Sequence, residues 1–418
     1  MARRRRTARI SVVLAGIGCA LLAQGVGRTQ SLGDLFPIAV PGYAEAPGVT
    51  ARSRLHPDDV PAGIAVPGTD FMVYPGFDAG AGFDTAPADD AGGSAFGRIR
   101  PDLRIADDAL GLAGFAAADL TRYVRGGAAD TRDVTAALGF GIPFGPDRIT
   151  LGVARASVAE SGLGLAQSGG AAPFRAVVDD GRIALRLRFG MVDATERFGV
   201  EHETLNAAGD VTPGFRDRTV LHESSEVETA PGGVLRFLIL LKAAQARYRG
   251  AVPGDGFGNS ASVAALGGIE TDAASLWRLR VLAGAIRQNL AGEGSRIAPV
   301  FDIGLGWTPD GLVAVEFDAS REAGLAASLG TPGTEVTSLD VAAADAWRRD
   351  LLLTADMAMR MARIAGRPAR EIDVETGAAW HWSRAFAIEP RLHLALRHDL
   401  PGSPPFEVRA TVFVVWTP

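Results

Sequence analysis

From about residue 69 to the C-terminus, apolar and polar residues alternate with a period of two, in runs of ten or more. This is the periodicity of a β-strand whose two faces meet different surroundings. Arg182-Ile183-Ala184-Leu185-Arg186-Leu187-Arg188-Phe189 sets Ile, Leu, Leu and Phe on one side and three Arg on the other. Phe301 to Trp307 alternates large apolar with small or acidic residues. Beyond the turn at Thr308-Pro309-Asp310-Gly311, Val313, Val315 and Phe317 oppose Ala314, Glu316 and Asp318. Leu351, Leu353, Met357, Met359 and Met361 share one face. Ile372, Val374, Trp380 and Trp382 alternate with Glu371, Asp373 and Glu375, and Ile388, Leu392, Leu394 and Leu396 with Glu389, Arg391, His393 and Arg397.

A soluble sandwich also alternates, because one face of each sheet meets the core. Runs of ten or more instead suit the ~9–11 residues that a tilted strand needs to cross a bilayer. The connections decide further. Short turns centre on residues 107–108, 144–146, 190, 231–232, 272–273, 308–310, 348–349 and 383–384. Between them fall longer Gly-, Ser- and Pro-rich segments near 84–93, 124–130, 159–173, 205–217, 250–259, 290–296, 323–333, 365–370 and 399–406. Short periplasmic turns alternating with long extracellular loops mark outer-membrane barrels. The prediction is an all-β, transmembrane, antiparallel up-and-down barrel of about 18 strands (16–18) over 69–418. The competing architecture is a periplasmic soluble β protein.

Residues 1–27 read as a signal peptide: Arg3 to Arg6, an apolar run from Ile10 to about Leu22, and small residues near Ala23 and Gly27. The only cysteine, Cys19, falls inside it, so the mature chain is expected to lack disulfides and thiolate metal sites. Residues 28–68 are rich in proline, from Pro37 to Pro67, and have no clean period. They are expected to form an extended periplasmic lead-in at the barrel mouth. The net charge of −6, with Lys242 the single lysine, argues against a nucleic-acid partner.

All six tryptophans stand beside short turns or the C-terminus: Trp277, Trp307, Trp347, Trp380, Trp382 and Trp416. Indole pairs an apolar body with an N–H donor and favours the headgroup level, so these residues are expected to form a periplasmic aromatic girdle against outer-membrane lipid. The alternative is ordinary core packing.

The sequence resembles the type 2 family of β-barrel porins of the proteobacterial outer membrane. The resemblance is carried by Gly63-Ile64-Ala65-Val66, Phe71-Met72-Val73-Tyr74-Pro75, Gly82-Phe83-Asp84, Leu276-Trp277-Arg278, Gly304-Leu305-Gly306-Trp307-Thr308-Pro309 and Arg349-Asp350-Leu351. None of these is a catalytic motif. The resemblance implies a Gram-negative outer-membrane protein, inserted by the barrel-assembly machinery with Trp416 as its terminal aromatic, and passing small hydrophilic solutes.

The inward charges are the one candidate site: Arg182, Arg186, Arg188, Arg278, Arg280, Asp302, Glu316, Asp318, Glu371, Asp373, Glu375, Glu389, Arg391 and Arg397. Charged rings in a pore select solutes. Opposite charges also pair across strands and simply fill a lumen. The two readings predict a conducting porin or a non-conducting structural barrel, for instance a partner in polysaccharide export. No enzyme is expected: His381 and His393 lack an evident Ser or Thr nucleophile. No cofactor or metal is expected either. Asp255-Gly256-Phe257-Gly258-Asn259 lacks the closing Glu of a calcium loop, and no Gly-rich turn joins a strand to a helix.

Overall fold

The computed structural model describes residues 40–41, 43, 63–86, 92–107, 110–125, 130–160, 174–206, 217–229, 234–248, 259–273, 276–290, 294–310, 312–323, 335–364, 367–398 and 405–417. The expected signal peptide, most of the 28–68 segment and the middle of several connections lie outside these residues.

A two-residue strand, β1 (Ile64–Ala65), precedes eighteen long ones. The first six are β2 (Met72–Asp84), β3 (Ser94–Asp107), β4 (Leu112–Tyr123), β5 (Thr131–Phe144), β6 (Asp147–Glu160) and β7 (Phe174–Phe189). Then come β8 (Val192–Asn206), β9 (Arg218–Thr229), β10 (Leu235–Tyr248), β11 (Ser260–Ala273), β12 (Trp277–Leu290) and β13 (Gly294–Trp307). The last six are β14 (Val313–Ala323), β15 (Glu335–Asp345), β16 (Leu351–Ile364), β17 (Arg367–His381), β18 (Phe386–His398) and β19 (Phe406–Trp416). Each pairs antiparallel with its sequence neighbour. β19 pairs back onto β2, from Arg409↔Asp84 to Trp416↔Phe77, so the sheet closes into an 18-stranded barrel. β1 continues that seam where β19 runs out, pairing Ile64↔Val73 and Ala65↔Met72. No helix is long and apolar enough to cross a membrane.

Alternation settles which face is which. On β10, Leu235, Phe237, Ile239 and Leu241 are 48–58% exposed, while Leu238 and Leu240 between them are 2% and 4% exposed. The odd residues form the outer wall, and cross-strand register carries the same parity around the barrel. The outer wall accordingly shows Phe77, Ile99, Leu103, Leu138, Leu151, Ile183, Val263, Leu392 and Val412, all exposed. A fourteen-residue strand rising ~3.3 Å per residue at a tilt of ~40° reaches about 33 Å, enough for an apolar band ~25 Å tall.

The short turns fall at or between strand ends, although Asp272 and Ala273, expected at a turn, are the last residues of β11; the turn expected at 231–232 lies outside the described residues. β5 and β6 are joined through Gly145 and β7 and β8 through Gly190, whose φ angles of 67° and 62° lie in the region open to glycine. Two of the nine long connections do not hold. β12 ends at Leu290 and β13 begins at Gly294; β16 ends at Ile364 and β17 begins at Arg367. The Gly and Pro that read as loop belong to strand ends instead. Gly294 has φ 83°, and Pro368 stands opposite Arg363 near the end of its ladder, where a missing N–H costs least. Two other prolines interrupt pairing in mid-strand. The β3–β4 ladder skips Arg100 and Pro101, and the β17–β18 ladder skips Glu389 and Pro390.

One seam is incomplete. β13 pairs with β14 only from Phe301↔Arg321 to Trp307↔Val315, although β13 runs on to Gly294. Above that point the end of β14 leans inward. Ala323 packs with Leu238, Leu240, Leu282, Ile286 and Val300 of the inner wall, and Glu322 Oε1 meets Lys242 Nζ of β10 at 3.1 Å.

Candidate functional site: the charged lumen

Register turns all fourteen of the charged residues singled out in the sequence toward the lumen. Arg182, Arg186 and Arg188 stand opposite Gly199, Thr195 and Asp193 of β8. Arg278 and Arg280 oppose Asp272 and Glu270 of β11. Glu316 and Asp318 oppose Gly306 and Gly304, and Asp302 opposes Leu282 on the same face. Glu371 stands opposite Arg397, Glu375 opposite His393, Glu389 opposite Phe413 and Arg391 opposite Thr411.

Most of these charges meet a partner of opposite sign. Around β17–β4 they form a connected network. Arg397 bridges Glu371 at 3.0 Å and Glu407 at 2.8 Å; Arg409 joins Glu407 at 2.9 Å to Asp84 at 2.8 Å; and the Tyr123 hydroxyl donates to Asp84 at 2.9 Å. Lower in the same sector, Arg391 meets Glu389 at 2.6 Å and Glu375 at 3.4 Å. Arg98 donates to Asp119 at 2.8 Å, and Arg98 and Arg391 both stand 5.7 Å from the centre of the Phe413 ring. His393 Nε2 is 3.1 Å from Asp373.

On β7–β9, Arg186 and Arg188 converge on Asp193, Arg182 donates to Asp180 at 2.9 Å, and buried Arg218 pairs with buried Glu203. On β9–β13, Arg236 spans Glu228 (3.1 Å) and Glu270 (2.6 Å), while Arg280 lies 3.5–3.9 Å from Glu226, Glu270 and Asp302. Such pairs neutralise one another in the narrow dielectric of a lumen wall and fix side-chain rotamers.

The charge is not evenly spread. The inward residues of β14–β16 include Glu316, Asp318, Glu322, Asp340 and Asp356, and Arg360 is the one cation on that face of these three strands among the described residues. Asp318 and Asp340 are direct register partners, as are Asp356 and Glu375 of β17. One sector of the lumen is therefore acidic, and the rest is close to balanced.

Sequence reading missed Asp84, Asp193, Glu203, Arg218, Arg236, Glu270, Glu407 and Arg409. They lie on strands whose alternation carries the same signal, at positions where the partner across the ladder decides their importance. It also missed what enters the lumen from the N-terminal side: Tyr43 and Val40 are 4% and 0% exposed within the inner wall of β4–β7.

The six tryptophans gather at the short-turn end. Trp277, Trp307, Trp380 and Trp416 are on the outer wall by register, and Trp347 and Trp382 sit in the turns. Trp277 stacks on Trp307, and Trp382 on Phe386; the Trp380 indole N–H donates to Asp350 at 3.0 Å.

The family model described as "Putative beta-barrel porin 2" matches residues 59–412. The chain belongs to this family. It is a porin-like barrel of the Gram-negative outer membrane. Among solved structures, the barrel is similar to OccK9 (OpdG) of Pseudomonas aeruginosa, at 11% identity and a TM-score of 0.46, covering 83% of this chain and 98% of that one. OccK2 (OpdF) of the same organism gives 12% identity and a TM-score of 0.44, with 82% and 97% covered. The FrpB iron transporter of Neisseria meningitidis gives 10% identity and 0.45; the chain spans 61% of that transporter's length and 78% of itself is covered. No curated protein matches the sequence.

Proposed function

We propose that this porin passes small hydrophilic solutes by diffusion and that the acidic sector on β14–β16 makes it prefer cations. The observation that carries this is the register pair Asp318↔Asp340, with Glu316 and Asp356 on the same inward face, where Arg360 is the one cation that β14–β16 contribute among the described residues. Carboxylates in a water-filled passage with low-dielectric walls raise the local concentration of counter-ions and set selectivity. The paired arginines elsewhere hold the wall rigid.

The tryptophan end is the periplasmic one in this reading, with the indoles at the headgroup level of the inner leaflet and long loops outside. Insertion falls to the barrel-assembly machinery. The lumenal His393 takes part in charge pairing, its Nε2 lying against Asp373.

Purified protein in planar bilayers under a KCl gradient tests the reading. Discrete channel steps with a reversal potential on the cation side are expected. A properly inserted barrel that gives no steps overturns it, and leaves the closed, charge-paired barrel of a structural or export protein.

A further inference from the structure

Val40, Pro41 and Tyr43 come before the barrel in the chain, yet they lie inside it. Val40 and Tyr43 form one buried cluster with Phe115 of β4, Ala137 of β5, Ala154 and Ala156 of β6 and Val178 of β7. These are inward positions near the middle of their strands. The backbone turns there, with Tyr43 N–H donating to the Val40 carbonyl at 2.9 Å.

The wall is shaped to receive the turn. Gly139 and Gly152 are register partners on the inner face. A Cβ on Gly139 would stand 2.2 Å from the Pro41 carbonyl oxygen, and one on Gly152 would stand 2.6 Å from the Tyr43 ring. No other side chain type leaves the notch open. The tyrosine is anchored at its far end as well: its hydroxyl donates to the Asp180 carbonyl at 3.0 Å, and the Arg182 guanidinium stands 4.8 Å from its ring centre. Arg182 also donates to the Asp180 carboxylate. Tyr43 therefore covers the inner wall of β4–β7 and holds one of its arginines against that wall.

We propose that Val40, Pro41 and Tyr43 are the built-in constriction of this channel and that Tyr43 determines its specificity. A barrel of 16–18 strands leaves an aqueous bore unless something fills it. A turn docked at mid-height on β4–β7 narrows that bore and leaves the passage on the side of the acidic sector. By stacking on Arg182, Tyr43 also keeps a positive charge out of the passage. The inference rests on the channel reading above.

Two sets of variants in the full-length chain test it. Val40→Cys with Ala137→Cys, two members of one buried cluster, in a Cys19→Ser background, is expected to form an internal disulfide on mild oxidation that reports the turn docked on the wall. Val40→Ala with Tyr43→Ala, and separately deletion of residues 40–43, are expected to raise single-channel conductance, to admit larger sugars in liposome swelling, and to move the reversal potential toward anions as Arg182 is released. Heat-modifiable gel mobility reports that each variant is folded. Failure to crosslink, or unchanged conductance and selectivity in folded variants of a conducting wild type, overturns this inference alone. A crosslink in a barrel that never conducts, in any variant, overturns the channel reading and this one with it.

Discussion

Trp277 and Trp307 face each other across the β12–β13 ladder and stack, their ring centres 5.4 Å apart with 23° between the planes. Both are on the outer wall at the short-turn end, where the pair closes the last rung of the ladder. Aromatic pairs of this kind contribute about 0.5–1.5 kcal/mol beyond the area they bury. A double-mutant cycle on Trp277→Ala and Trp307→Ala, read by reversible unfolding from lipid vesicles, should give a coupling of about 1 kcal/mol. Strictly additive losses would refute a direct contribution of the stack.

Arg397 lies between two carboxylates in the wall, with side chains of Arg397, Glu371 and Glu407 each under one-tenth exposed. Replacing it by Met leaves two like charges without their shared cation, at a cost of about 3–5 kcal/mol. Adding Glu371→Gln and Glu407→Gln should recover most of that loss, because the desolvated charges go with the cation. A triple variant no better than Arg397→Met would sink the argument.

Leu241 and Ala244 are three residues apart on β10 and on opposite faces of the wall. Leu241→Arg puts a guanidinium among lipid tails near the midplane and should destabilise insertion by about 2–4 kcal/mol. Ala244→Arg adds the same charge to the wet lumen and should be tolerated. Equal losses at the two sites would contradict the assignment of faces.

Asp318 and Asp340 are opposite each other on the inner wall. Converting both to Asn should reduce cation preference, seen as a reversal potential closer to zero. The change should shrink in high salt, since the screening length falls from ~10 Å at 0.1 M to ~3 Å at 1 M. A selectivity indifferent to both substitutions would remove this sector from the conduction path.

Much of the architecture was legible because a strand's side-chain period is fixed at two. Arg182, Arg186 and Arg188 have to share a face whatever surrounds them, and so do Leu351, Leu353 and Met357. Boundaries were less legible where glycine or proline is compatible with both strand and loop. The segments near 290–296 and 365–370 read as outer loops, yet β13 already begins at Gly294 and β17 at Arg367. Local composition marks where a chain is able to turn; the length of the neighbouring ladder decides where it does.

The pairing of charges was beyond the sequence. Glu407 joins Arg397 and Arg409 through neighbours ten residues away on β18 and two away on its own strand, and Asp84 meets Arg409 only because β2 closes onto β19. Gly139 and Gly152 look like ordinary strand glycines until Pro41 and Tyr43 are set against them. The sequence by itself determined the class of fold, the two faces of the wall and the end that carries the tryptophans, because each is encoded in period and spacing along the chain. Closure, the incomplete β13–β14 seam, the acidic sector and the turn lodged in the lumen were decided only by the tertiary structure. Each depends on which distant strands share a register, and register is settled by the whole barrel at once.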